Sequence, residues 1–121
     1  MSNFFSRLFG QSSVASPAWL EIDDLRQRLD AGDSLVLIDV RGSDEFTSPP
    51  GHLPGAINIP LPELAGRVAE VAAQSRSVVL VCKTDRRSAK AAEMLLAAGL
   101  TDVAVLRGGT DGWHQHGLPL D

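Results

Sequence analysis

Three short runs of aliphatic residues, LVLIDV (35–40), VVLV (78–81) and VAVL (103–106), constrain this chain more than any other feature. A strand with one face in water alternates apolar and polar side chains. A run that does not alternate needs apolar cover on both faces, as in a parallel sheet held between helices. AINI (56–59) is a shorter candidate strand, and residues 17–21 are a candidate edge strand. Between the runs the spacing becomes helical. Leu25 and Leu29 support a helix stopping near Gly32, and Leu61, Leu64, Ala65, Val68, Val71 and Ala72 mark a second. Ala91, Ala92, Leu95 and Leu96 mark a third that ends at Gly99, and a last short helix is expected after Gly108 and Gly109, carrying Trp113. Strand and helix in repetition predict an α/β domain with a parallel sheet and helices on both faces.

The 121 residues have room for one such domain, expected over 17–121. Residues 1–16 read as an N-terminal extension and linker. There Phe4, Phe5, Leu8 and Phe9 would share one side of a short helix, and a Ser-rich stretch follows from Gly10 to Pro17. One helical turn with a single Arg is a weak membrane signal, so a frayed terminus or a flap is the preferred reading over an anchor.

Hydrophobic residues make up 44% of the chain and charged residues 21%, the balance of an ordinary globular protein. A net charge of −4 argues against nucleic acid as a partner, because phosphate neutralisation calls for a basic face. No stretch approaches the roughly 20 apolar residues of a membrane span, and no apolar leader with a cleavage site follows the N-terminus. One cysteine cannot form an internal disulfide, and with three scattered histidines it offers no zinc-ligand spacing. The expectation is a cytoplasmic protein with a reduced thiol and no metal. The sequence assigns no oligomeric state.

Sites in open parallel sheets form beyond the carboxyl ends of the strands, which selects Asp39–Arg41, Cys82–Ser88 and Arg107–Gly109. Cys82 is the first residue after a candidate buried strand, and Arg87 and Ser88 stand where the next helix is expected to begin. Six residues, Cys82 to Arg87, must then turn the chain. Their N–H groups and the positive end of the helix make a cradle for an anion. Lys83, Arg86 and Arg87 add positive charge and favour the thiolate, the nucleophilic form. Thr84 and Asp85 shape the loop and its substrate preference. The plain alternative for Cys82, a small buried hydrophobe, is disfavoured by those charged neighbours. No histidine lies in the loop to accept a proton, so attack on sulfur suits the arrangement better than amide hydrolysis. The product would be a cysteine persulfide, removed by a second nucleophile.

The chain resembles the rhodanese (sulfurtransferase) family in its single-domain form, from about Trp19 to Leu120. The segments that carry the likeness are LIDVRGSDEF, GHLPGAINIP, VCKTDRRSA and LRGGTDGW, in that order. The resemblance implies a three-layer domain around a five-stranded parallel sheet, without metal or organic cofactor. It also implies transfer of a sulfane sulfur through a persulfide on Cys82, from thiosulfate or a persulfide donor to cyanide or a thiol. Lys83, Thr84, Asp85, Arg86, Arg87 and Ser88 would bind the substrate. Asp39 and Arg41 would support the loop by bonding it or each other, and Arg87 would cradle substrate or pair with a carboxylate such as Asp39 or Glu45.

Two features depart from the family's pattern. Asp85 stands where many family loops carry Gly, adding negative charge near the pocket mouth, and Pro49 and Pro50 lengthen the connection before His52. The rival enzyme class is a dual-specificity-type phosphatase or arsenate reductase on a related fold with a C-x5-R loop. Here the loop is C-x4-R, one residue short for phosphate. A partner-binding sulfur carrier, exchanging persulfide with another protein, is the remaining alternative, and a non-catalytic module is disfavoured because the cysteine is present.

Overall fold

Apolar cover on both faces is what the aliphatic runs receive. A computed structural model describes residues 16–121; the aromatic N-terminal segment and most of the Ser-rich linker lie outside them. The described strands are β1 (Ala18–Leu20), β2 (Leu35–Asp39), β3 (Ile57–Asn58), β4 (Ser77–Val81) and β5 (Val103–Leu106). They form one sheet in the order β1-β5-β4-β2-β3, every pair parallel. All five residues of β2 are buried, as are the last four of β4.

Alternate side chains of these strands serve two cores. Val36, Ile38, Val78, Leu80, Val103 and Val105 pack on one face with Leu64, Val71, Ala91 and Leu95. Leu35, Leu37, Val79, Val81 and Leu106 pack on the other with Ile22, Leu25, Leu53 and Trp113. The helices supplying the first face are α3 (Leu61–Leu64), α4 (Val68–Ala73) and α5 (Arg86–Ala97); α1 (Ile22–Asp30) and α6 (Gly109–Gln115) supply the second. The result is the three-layer α/β arrangement expected from the sequence. No described helix is long and apolar enough to cross a membrane.

Three details differ from expectation. The helix expected from Leu61 to Ala72 is broken by a 3₁₀ turn over Ala65–Arg67. Gly66 lies inside that turn, and glycine in a helix interior costs about 1 kcal/mol relative to alanine. The apolar stripe survives the break, since Leu64 and Val71 are both buried. A short helix, α2 (Ser43–Thr47), follows β2 and buries none of its residues, so no apolar period announces it. Finally, α5 begins at Arg86, one residue earlier than expected, with Asp85 as its N-cap.

Candidate active site

The loop Cys82–Asp85 leaves the carboxyl end of β4 and enters α5. Its carbonyls are taken up on one side. The Thr110 N–H donates to Cys82 O at 2.9 Å, and the Asp111 N–H to Lys83 O at 3.0 Å. Gly109 lies so close under the carbonyls of Cys82, Lys83 and Thr84 that a Cβ would collide with all three, and its φ is +58°. In a trans peptide the C=O and the following N–H point in opposite directions. Seating these three carbonyls on the Gly109 turn therefore turns the amides of Lys83, Thr84 and Asp85 away from it. A set of such amides is an anion-binding cradle.

Cys82 is 1% exposed. What distinguishes it from inert packing is the polar company of its sulfur. The Ser88 N–H, in the first turn of α5, donates to Sγ at 3.4 Å, and Ser88 Oγ is hydrogen-bonded to Sγ at 3.3 Å. Ser88 is itself fully buried. The sulfur is thus in contact with two polar groups of one residue at the start of α5.

The loop cations are not equivalent. Lys83 Nζ is 2.6 Å from Asp111 Oδ2. Arg87 makes a two-pronged pair with Glu45, one of the carboxylates expected for it, donating at 2.6 Å to Oε1 and 3.1 Å to Oε2. Arg86 alone has no carboxylate partner among the described residues. Asp85 accepts from the Gly108 N–H at 3.4 Å, tying its added charge to the Gly108–Gly109 turn. Thr84 is exposed on the loop, its carbonyl against Gly109.

Asp39 and Arg41 bond each other. Arg41 donates to the Asp39 carboxylate from Nε at 3.1 Å and from Nη2 at 2.8 Å, both side chains buried. Arg41 Nη2 also donates to Gly51 O at 3.0 Å, and Asn58 Nδ2 donates to both Asp39 O and Arg41 O. The pair thus fixes the β2–α2 turn against the loop before His52. Removing one member of a buried pair typically costs about 3–5 kcal/mol.

A cavity of about 370 Å³ opens over this end of the sheet. Arg41, Lys83, Thr110 and Asp111 form one part of its wall, and Asp44, Glu45, Ser48, Pro49 and Pro50 the other. The two prolines therefore border the pocket. A larger cavity, about 640 Å³, lies at the opposite end of the sheet, lined by Ser34, Ser77 and Asp102 among others. It holds none of the groups that could perform chemistry with Cys82. Arg107 turns away as well, pairing with Glu21 at 2.9 Å beneath the Trp19 ring. His52 is a satisfied turn residue, its Nδ1 hydrogen-bonded to Phe46 O at 2.8 Å and its ring stacked on Phe46. The Trp113 indole N–H donates to Pro119 O at 2.8 Å. Sequence reasoning missed Asp44, Ser48, Thr110 and Asp111. The rule of strand ends reached Gly109 and stopped one residue short of Thr110.

The Arg87–Glu45 pair gives a pH-dependent prediction. Its hydrogen bonds from Arg87 are the main reason the Glu45 carboxyl sits at about 2 instead of the ordinary 4.5; desolvation opposes this and the Gly42 N–H bond adds to it. A carboxyl lowered on folding stabilises the protein above its unfolded value, and that contribution is lost as pH falls through the folded value. Glu45→Gln is expected to cost about 0.5–1 kcal/mol at neutral pH, the upper range for a half-exposed pair. The gap in Tm between variant and wild type should close between pH 4.5 and about 2. A gap that stays constant through acid titration would show that the pair contributes nothing.

These elements match known proteins. Residues 21–116 match the rhodanese-like domain family, and the chain belongs to that family. It is 33% identical over 101 residues to a sulfurtransferase of Allochromatium vinosum, covering 84% of this chain and 92% of that protein. It is 36% identical over 93 residues to the chloroplastic thiosulfate sulfurtransferase 16 of Arabidopsis thaliana, covering 68% of this chain and 76% of the relative. Among solved structures, a thiosulfate sulfurtransferase from Pseudomonas aeruginosa superposes with a TM-score of 0.78 at 36% identity. That match covers 87% of this chain and only 20% of the larger protein.

Proposed function

We propose that the chain is a sulfurtransferase whose domain, residues 17–121, carries sulfur as a persulfide on Cys82. The observation that supports this reading is the cysteine loop itself, a buried sulfur contacted by Ser88 in a loop whose carbonyls are seated on the Gly109 turn. In the first step the Cys82 thiolate attacks the outer sulfur of thiosulfate. The S–S bond of the donor breaks, sulfite leaves with the bonding pair, and Cys82 holds the persulfide anion. In the second step cyanide or a thiolate attacks the outer sulfur, leaving as thiocyanate or a new persulfide and regenerating the Cys82 thiolate. No oxidant or proton is needed in either step at the anionic state of the reactants. A reducing compartment, read here as the cytoplasm, keeps the thiol available.

The acidic wall favours keeping a protein or thiol persulfide as an alternative donor. Asp44, Glu45 and Asp111 line the cavity beside Lys83, and Lys83 and Arg87 are already neutralised. A free dianion meets little net attraction there. The test is thiocyanate formation from thiosulfate and cyanide, run beside hydrolysis of a chromogenic phosphate ester. Thiocyanate production by the wild type supports the reading. Ester hydrolysis that depends on Cys82, without thiocyanate, would replace it with the phosphatase reading. Poor turnover with thiosulfate and fast uptake from a persulfidated protein would assign the carrier role.

Arg86 is the charge expected to matter for an anionic donor, because Lys83 is offset by Asp111. Arg86→Ala should raise KM for thiosulfate roughly three- to tenfold with kcat nearly unchanged, and the effect should shrink in high salt. Lys83→Ala should do less. Equal and salt-independent losses in both variants would contradict this division.

A further inference from the structure

One buried side-chain polar atom among the described residues has no hydrogen-bond partner, the hydroxyl of Thr110. Thr110 is 2% exposed and forms part of the cavity wall beside Lys83 and Arg41. Its backbone N–H is committed to Cys82 O at 2.9 Å, so the residue is anchored directly to the cysteine. Lys83, Arg41 and Glu45 of the same cavity are each paired, with Asp111, Asp39 and Arg87 respectively. A buried hydroxyl without a partner costs stability that valine, of nearly the same shape, would not incur. Such an orphan is explained if its partner arrives with the reaction.

We propose that the Thr110 hydroxyl contacts the sulfur being transferred, donating a hydrogen bond to the outer atom of the Cys82 persulfide. The inference rests on the sulfurtransferase reading above. An S–S bond is about 2.05 Å long, so loading extends the cysteine side chain by one large, anionic, polarisable atom. Thr110 is bonded through its N–H to the carbonyl of the residue that would carry this atom, and it lines the cavity beside Lys83. An anionic acceptor makes a stronger hydrogen bond than a neutral one. The hydroxyl is thereby unpartnered in the free enzyme and satisfied in the loaded one, so it stabilises the intermediate selectively.

The test compares wild type with Thr110→Val and Thr110→Ser in mixtures of thiosulfate and sulfite, reading by intact mass the fraction of protein that carries one added sulfur. Thermal unfolding is followed in parallel. T110V should keep or exceed the wild-type Tm while its loading equilibrium falls about tenfold and kcat/KM for thiocyanate formation falls roughly ten- to a hundredfold. T110S should stay within about threefold of wild type. If T110V does not fold, Thr110→Ala removes the hydroxyl without the branched methyl and carries the same comparison. A variant that lacks the hydroxyl and loads like wild type overturns the assignment. So does an equal loss in T110S. A wild type that gains no sulfur from thiosulfate or from a persulfide donor overturns the sulfurtransferase reading, and this inference with it.

Discussion

Cys82→Ser is expected to abolish sulfur transfer, lowering turnover by on the order of a thousandfold or more, to the level of the uncatalysed reaction. A serine hydroxyl is a poor nucleophile toward sulfur and cannot form a persulfide, so both halves of the cycle are lost together. The fold should survive. Position 82 is a buried strand end on the α5 face of the sheet, and a serine there finds Ser88 as a hydrogen-bond partner in place of the Sγ contact. The variant should therefore unfold within a few degrees of wild type. Loss of activity with an intact Tm assigns the effect to chemistry. Full activity in the serine variant would leave the mechanism without its nucleophile.

Gly109→Ala should be the most damaging single substitution outside the cysteine. At a φ of +58° an L-residue carries backbone strain of roughly 1–2 kcal/mol. The added Cβ would also meet the carbonyls of Cys82, Lys83 and Thr84, which are backbone and cannot swing aside. The loop must move or α6 must shift away from it, and either breaks the Thr110 and Asp111 bonds that orient the loop. A loss of about 3 kcal/mol or more follows, which in a domain of this size lowers Tm by roughly ten degrees or more. Activity should fall further than stability alone explains, since the amides of Lys83, Thr84 and Asp85 lose their alignment. Differential scanning calorimetry with thiocyanate kinetics at a temperature where the variant is folded separates the two effects. A variant with wild-type Tm and rate would show that the turn does not support the loop.

The parts of this architecture that could be read in the sequence are those written in local pattern. The runs 35–40, 78–81 and 103–106 lie in buried strands because double-sided burial leaves no polar positions, and that is visible in a few consecutive residues. Cys82 stands out in the sequence because it combines a strand end with adjacent cations. Helix α2 was not legible, because a five-residue helix with no buried side chain has no apolar period to detect. The charge economy of the loop was hidden for a different reason. Lys83 finds Asp111 across 28 positions and Arg87 finds Glu45 across 42, and only the sheet order brings those segments together. The sequence presents Lys83, Arg86 and Arg87 as three equal cations, and the fold leaves one of them unpaired among the described residues. Asp85 reads as a charge at the pocket mouth, whereas its carboxylate reaches the Gly108 N–H. Thr110 follows the same logic, since an orphan hydroxyl is defined by what surrounds it.

The most direct test of the persulfide on Cys82 is intact-mass measurement of the protein after incubation with thiosulfate and removal of the excess. The account predicts a gain of one sulfur atom, mapped to Cys82, released by cyanide as thiocyanate and absent in Cys82→Ser. A wild-type protein whose mass is unchanged by thiosulfate and by a persulfide donor, or a gain that persists in the serine variant, would contradict it.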